Sequence, residues 1–116
     1  MNERDFGTQL RKGVVEGCVL AVVNQEPTHG WQLARVLQDQ GLIGSVGTLY
    51  PVLTRLEKAG ELVSREQIAE SGRRRRYYSI TPAGRASLAQ FTSQWREFVA
   101  NVSAVLPEPM QRQEQP

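Results

Sequence analysis

Four arginines in a row, Arg73 to Arg76, followed by Tyr77 and Tyr78, are the residues of this chain best suited to chemistry, and that chemistry is phosphate binding. A guanidinium group meets two phosphate oxygens at once through forked, charge-assisted hydrogen bonds, which lysine does not reproduce. No acidic residue occurs from Ser71 to Gly84. Nothing adjacent in sequence therefore neutralises the run, and four like charges repel unless a polyanion lies opposite. Ser71-Gly72 precedes the arginines and short β-type runs flank them, which places the charge at the tip and rising arm of a predicted hairpin. A solvated charged hairpin with no ligand is the competing reading.

The rest of the chain must position that hairpin. Its 116 residues make one domain, large enough for a core but near the size at which a second subunit helps to complete it. Hydrophobic content of 40% and charged content of 22% are those of an ordinary globular protein, and the net charge is only +2. The basic excess is thus a local patch. The single cysteine, Cys18, sits in an apolar run too short to span a bilayer, and no cleavable signal with an apolar core precedes it. These features predict a cytoplasmic protein that does not enter membranes. With one histidine, His29, one cysteine, and no paired-carboxylate or phosphate-loop pattern, no enzyme, cofactor or metal site is expected.

Residues 1–8 lack periodicity and read as a mobile arm. From about Gln9 to Asn24, Val14, Val15, Cys18, Val19, Val22 and Val23 follow a helical period over a wide arc, so this helix is buried. Gly13 and Gly17 lie one turn apart on it and allow close approach on that face. Thr28 or His29 is placed to cap a second helix, Gly30 to Gln40, with Leu33, Val36 and Leu37 inward and Gly41 closing it. After Ser45, the apolar spacing of Leu49, Val52, Leu53 and Leu56 marks a third helix that Gly60 ends. Leu62 to Gln67 and Tyr77 to Ile80 read as strands, with Ile68 to Arg76 as the turn between them. Thr81-Pro82 starts a last helix that runs to about Leu106. Helix, helix, helix, strand, strand, helix is the order of a winged helix-turn-helix: mainly α with a small β-hairpin, followed by a long C-terminal helix. The expected divisions are a DNA-binding domain at 9–80, a dimerisation helix at 81–106, and flexible termini at 1–8 and 107–116.

In the last helix Leu88, Phe91, Trp95, Phe98, Val102 and Val105 are spaced 3, 4, 3, 4 and 3, an apolar heptad seam. Such a helix outruns a three-helix core, so the seam needs a partner. Two arrangements compete: it folds back on its own first helix, or it packs on the first helix of a second copy, through Val14 and Gly17. Phe91, Trp95 and Phe98 also offer stacking area for a planar aromatic effector at the two-fold axis, against the plainer reading of dry packing.

With these residues in view, the chain resembles the PadR family of winged-helix transcriptional regulators, and within it the short subgroup with a single C-terminal dimerisation helix. The resemblance rests on Leu10-Arg11-Lys12-Gly13, Thr28-His29-Gly30-Trp31, Gly47-Thr48-Leu49-Tyr50-Pro51 with Leu53, Arg55-Leu56-Glu57 and Gly60, Arg75-Arg76-Tyr77-Tyr78, and Thr81-Pro82-Ala83-Gly84-Arg85. It departs at Trp31, where tyrosine is usual, and at Glu61. The resemblance implies a homodimer that binds a pseudo-palindromic operator, usually as a repressor released by a ligand or stress signal. It also implies, for Trp95, a place matching the tryptophan that stacks on flat aromatic ligands in some short members.

For double-stranded DNA, Ser45, Thr48 and Tyr50 at the start of the third helix are expected to reach base edges or phosphates, and Arg55 to reach phosphate. Arg11 and Lys12, together with Trp31 at the start of the second helix, join them as candidates. Strand alternation lets only part of the Arg73, Arg74, Arg75, Arg76 run face DNA, with Tyr78 and Ile80 turned to the core. Glu57 reads as a structural ion-pair partner. Two other classes remain open: a winged-helix module docking an acidic protein, and an RNA-binding arginine hairpin.

Overall fold

The computed structural model describes residues 5–109. Its elements are α1 Phe6–Gln25, β1 Thr28–His29, α2 Gly30–Asp39, a 3-10 turn Val46–Thr48, α3 Leu49–Lys58, β2 Leu62–Ile68, β3 Arg74–Ile80 and α4 Pro82–Val105. This is the winged helix-turn-helix arrangement with an added long helix. The end segments 1–4 and 110–116, expected to be flexible, lie outside the described residues.

Helix α1 begins three residues earlier than the apolar period suggests. Asp5 accepts hydrogen bonds from the Thr8 backbone N–H at 3.3 Å and from Thr8 Oγ1 at 2.6 Å, which caps the helix and sets a negative charge at its positive end. Those bonds hold the Asp5 carboxyl below its usual range. Residues 6–8, expected in a mobile arm, are therefore helical. Helix α2 is capped by His29, whose Nδ1 accepts from the Gln32 N–H at 3.2 Å. Leu33, Ala34 and Leu37 fill its inner face, while Val36, expected inward, is exposed. Helix α3 turns Leu49, Val52, Leu53 and Leu56 inward and ends at Gly60, which takes φ +75°.

The sheet has three antiparallel strands in the order β1-β3-β2. Two features differ from the sequence-based expectation. Strand β3 starts at Arg74, so three of the four arginines lie on the strand and only Arg73 in the turn, which the Ala69 N–H to Arg73 carbonyl bond (2.8 Å) and Gly72 at φ +84° close. The two-residue strand β1 is an addition, pairing Thr28 with Tyr78 and His29 with Tyr77. It stops where α2 begins, so β3 has no neighbour on that side along Arg74–Arg76.

The core comprises Val15, Val19, Leu20 and Val23 of α1, the inner faces of α2 and α3, Ile43, Leu62 and Tyr78. Ile80 and Leu88 pack at its margin. The first turn of α4 is bolted to the end of α3: Thr81 Oγ1 donates to the Gly60 carbonyl at 2.6 Å, Ser87 Oγ donates to the Glu61 carboxylate, and Gly84 is buried where a methyl group would run into the Glu61 carbonyl. One turn further, Phe91 lies over Gly17 of the same chain, occupying the space a side chain there would need. Gly17, expected to face a second subunit, is thus covered from within, and Leu88 and Phe91 are half-buried by their own chain. From Ser93 onward every described residue of α4 is exposed.

Candidate nucleic-acid interface

Two grooves open beside the segment that leads into α3. The first, about 270 Å³, is lined by Arg11 and Lys12 of α1 and by Ser45 and Thr48. Thr48 Oγ1 donates to the Ser45 carbonyl at 2.7 Å, and Arg11 Nη2 donates to Thr8 Oγ1 at 3.2 Å. Ser45 makes no capping bond with its side chain, so its hydroxyl is not committed to the helix start. Four residues drawn from two distant stretches of sequence thus share one hollow, whose floor includes Val15, Leu42 and Ile43.

The second groove, about 510 Å³, runs along the open edge of β3 and is lined by His29, Gly30, Trp31, Tyr50, Arg73, Arg74, Arg75, Arg76 and Tyr78. Trp31 is exposed, with its ring 6.4 Å from the His29 ring and nearly parallel to it, and the Arg35 guanidinium lies 5.1 Å over the indole. Tyr50 is half-exposed beside it. Alternation along β3 divides the arginines. Arg75 turns toward His29, with Nη1 at 3.4 Å from Nε2. Arg76 Nη1 donates to Ser64 Oγ at 2.8 Å, and that hydroxyl donates to Glu57 at 2.6 Å. Arg74 lies 3.6 Å from Glu66 on the neighbouring strand. Glu57 is therefore structural, as its position on α3 suggests, although through Ser64 rather than by a direct ion pair.

Arg55, expected to reach phosphate, has a partner within the chain. Its Nε bonds Glu16 of α1 at 2.8 Å, in an exposed pair that ties α3 to α1. Such a pair contributes about 0.2–1 kcal/mol, so a phosphate can compete for the guanidinium, but in the free protein Arg55 is not an open phosphate ligand. Glu16 was invisible as its partner because 39 positions separate them. Among the described residues, no three His, Cys, Asp or Glu side chains converge as metal ligands would.

Residues 19–90 match the model of the transcriptional regulator PadR-like family. The chain belongs to this family. It is 40% identical over 82 residues to the transcriptional regulator Rv3488 of Mycobacterium tuberculosis, covering 71% of this chain and 76% of that protein. Among solved structures it is similar to a PadR-like transcriptional regulator from Bacillus cereus, with a TM-score of 0.78 and 32% identity over 87% of this chain and 99% of that one. A Streptococcus transcriptional regulator superimposes with a TM-score of 0.76 at 34% identity, covering 84% and 96%. This PadR-like chain is accordingly a transcription regulator with a winged-helix DNA-binding fold.

A third groove, about 720 Å³, separates α1 from α4 of this PadR-like chain and contains Leu10, Val14, Phe91, Trp95 and Phe98. The Phe91 and Trp95 rings are stacked at 6.4 Å, and Trp95 and Phe98 remain 44% and 57% exposed. Arg11 lines both this apolar groove and the hollow beside Ser45.

Proposed function

We propose that this regulator binds a pseudo-palindromic operator as a homodimer in the cytoplasm and represses transcription until a planar aromatic ligand is bound. What carries the reading is the gathering of Arg11, Lys12, Trp31, Ser45, Thr48, Tyr50 and the wing arginines around the start of α3. The exposed face of α3 enters the major groove, Ser45, Thr48 and Tyr50 meet base edges or phosphates, and the wing follows the adjacent backbone. Arg55 exchanges Glu16 for a phosphate on binding.

The dimer is proposed to form on the stretch of seam left uncovered, Trp95, Phe98, Val102 and Val105, together with Val14 of α1. Leu88, Phe91 and Gly17 support it by fixing where α4 leaves the body. A planar ligand would stack on Trp95 and Phe98 in the groove against α1 and disturb the operator contacts through Arg11, which faces both sides.

Selection of duplexes from a random pool by the purified protein tests the operator and reads out half-site spacing. Recovery of no enriched palindrome, with RNA or an acidic protein retained in preference, would discard the reading. With about four phosphate contacts per subunit the log-log salt slope is about −7, and Arg74→Ala with Arg75→Ala reduces it to about −3.5. Phe98→Glu places a charge in the seam and yields monomer by sedimentation. For the ligand, a panel of planar cations and phenols is expected to quench tryptophan emission in Trp31→Phe but not in Trp95→Ala.

A further inference from the structure

We propose that His29 and Arg75 jointly bind one backbone phosphate of duplex DNA at the N-terminal end of α2. The proposal rests on the operator-binding reading of this surface and assigns a ligand to a residue otherwise occupied only in capping a helix.

His29 is 8% exposed and is the single histidine of the chain. Its Nδ1 accepts from the Gln32 N–H at 3.2 Å, and a ring nitrogen that accepts carries no hydrogen, so the neutral imidazole has its proton on Nε2. Nε2 faces Arg75 Nη1 at 3.4 Å, and a guanidinium nitrogen only donates. Two donors therefore point into the same space, and among the described residues no acceptor pairs with Nε2. With no acceptor of the protein's own between them, an anionic oxygen entering from the groove can take hydrogen bonds from both.

Three further features prepare the place. The ring is held in direction by Trp31, nearly parallel at 6.4 Å, and by Tyr77, edge-on at 5.3 Å. The site opens into the groove of about 510 Å³, at the positive end of a ten-residue helix. Because β1 ends at His29, the edge of β3 along Arg74–Arg76 is open to an approaching backbone. Burial, and then the Arg75 charge, push the His29 pKa down, which keeps the ring in the neutral tautomer that donates from Nε2. A chain of phosphates suits the site better than a single carboxylate, since Arg73, Arg74 and Arg76 line the same groove.

The test uses the full chain with a short mixed-sequence duplex at low ionic strength. His29→Asn puts an amide oxygen where Nδ1 stood, retaining the cap, and leaves no atom at Nε2. It is expected to bind roughly tenfold more weakly with an unchanged salt slope, because no counterion-releasing charge is lost. In an Arg75→Ala background the same substitution is expected to cost far less, since the two groups share one phosphate. In the ¹⁵N imidazole spectrum, where His29 is the only signal, Nε2 shifts on adding duplex or inorganic phosphate, and the phosphate shift is lost in Arg75→Ala. Wild-type affinity in a His29→Asn protein of unchanged melting temperature overturns the proposal, as does an equal loss in both backgrounds. Absence of any duplex binding by the wild type sinks the operator reading instead. The phosphate titration then decides the site alone: a shift that needs Arg75 upholds a phosphoryl site, while no shift, or one that persists without Arg75, removes it.

Discussion

The winged body and the distal half of α4 carry apolar repeats of similar quality, yet one is buried and the other bare. In the body, Leu33, Leu37, Leu49, Leu53 and Leu56 are all but inaccessible to solvent. In distal α4, Phe98 is 57% and Val105 84% exposed. The difference is one of reach. Helix α4 has 24 residues, about 36 Å at 1.5 Å per residue, and only its first turns pack closely, against Glu61 and Gly17, before a groove opens between it and α1. Folding of the chain and its proposed pairing with a second copy thus fall on separate stretches, so chemically similar substitutions should have different readouts in the two.

The largest contrast follows directly. Leu53→Ala removes a fully buried side chain and is expected to cost about 2–5 kcal/mol in urea unfolding. Phe98→Ala, a larger truncation, should leave the unfolding free energy of the dilute monomer within about 0.5 kcal/mol, while weakening self-association in sedimentation. Equal losses of monomer stability at the two positions would show that distal α4 is already part of the body.

The glycines of α1 sharpen the same boundary with smaller effects. Gly17 lies under the Phe91 ring, so Gly17→Ala must move α4 and is expected to cost about 1–3 kcal/mol. Gly13, one turn away, has open space around it, and Gly13→Ala should gain up to about 1 kcal/mol of helix stability in the dilute protein. Thermal melts of both variants below the association range make the comparison. Two variants melting alike would place the inner edge of the α1–α4 contact elsewhere.

Where structure is dictated by neighbouring residues, it was legible in the sequence. Gly41 and Gly60 stand at positive φ where their helices were expected to end, and Thr81-Pro82 caps and opens α4 as a threonine-proline pair should. The Asp5 cap was equally local, but the polar, glycine-containing start of the chain masked it. Long-range pairing hid the rest. Two residues, Thr28 and His29, form a strand only because β3 lies beside them, and Arg55 meets Glu16 only because α1 and α3 pack together. Of the candidate DNA face, the residue types could be read in advance, whereas the division of the wing arginines among His29, Ser64 and Glu66 depends on strand register. His29 was visible as a cap and invisible as the neighbour of Arg75, 46 positions away.

The smallest expected effect concerns protons and again separates body from tail, because the body contains the chain's one histidine and distal α4 none. Burial first, and the Arg75 charge second, lower the His29 pKa below the ordinary imidazole value of about 6.5. The unfolded chain then binds a proton more readily than the folded one. Between the folded pKa and about 6.5, stability rises with pH; the contribution is fully present above that window and is lost as pH falls through the folded value. Protonation also takes away the Nδ1 lone pair that caps α2, so the loss should be local to the β1–α2 junction before it is global. Urea titrations across this window should show wild-type stability declining toward acid and His29→Asn flatter, since asparagine caps without titrating. Hydrogen exchange should locate the first opening at Gln32. A wild-type curve parallel to that of His29→Asn would mean that the imidazole keeps its proton count on folding, so that neither burial nor the Arg75 charge lowers its pKa.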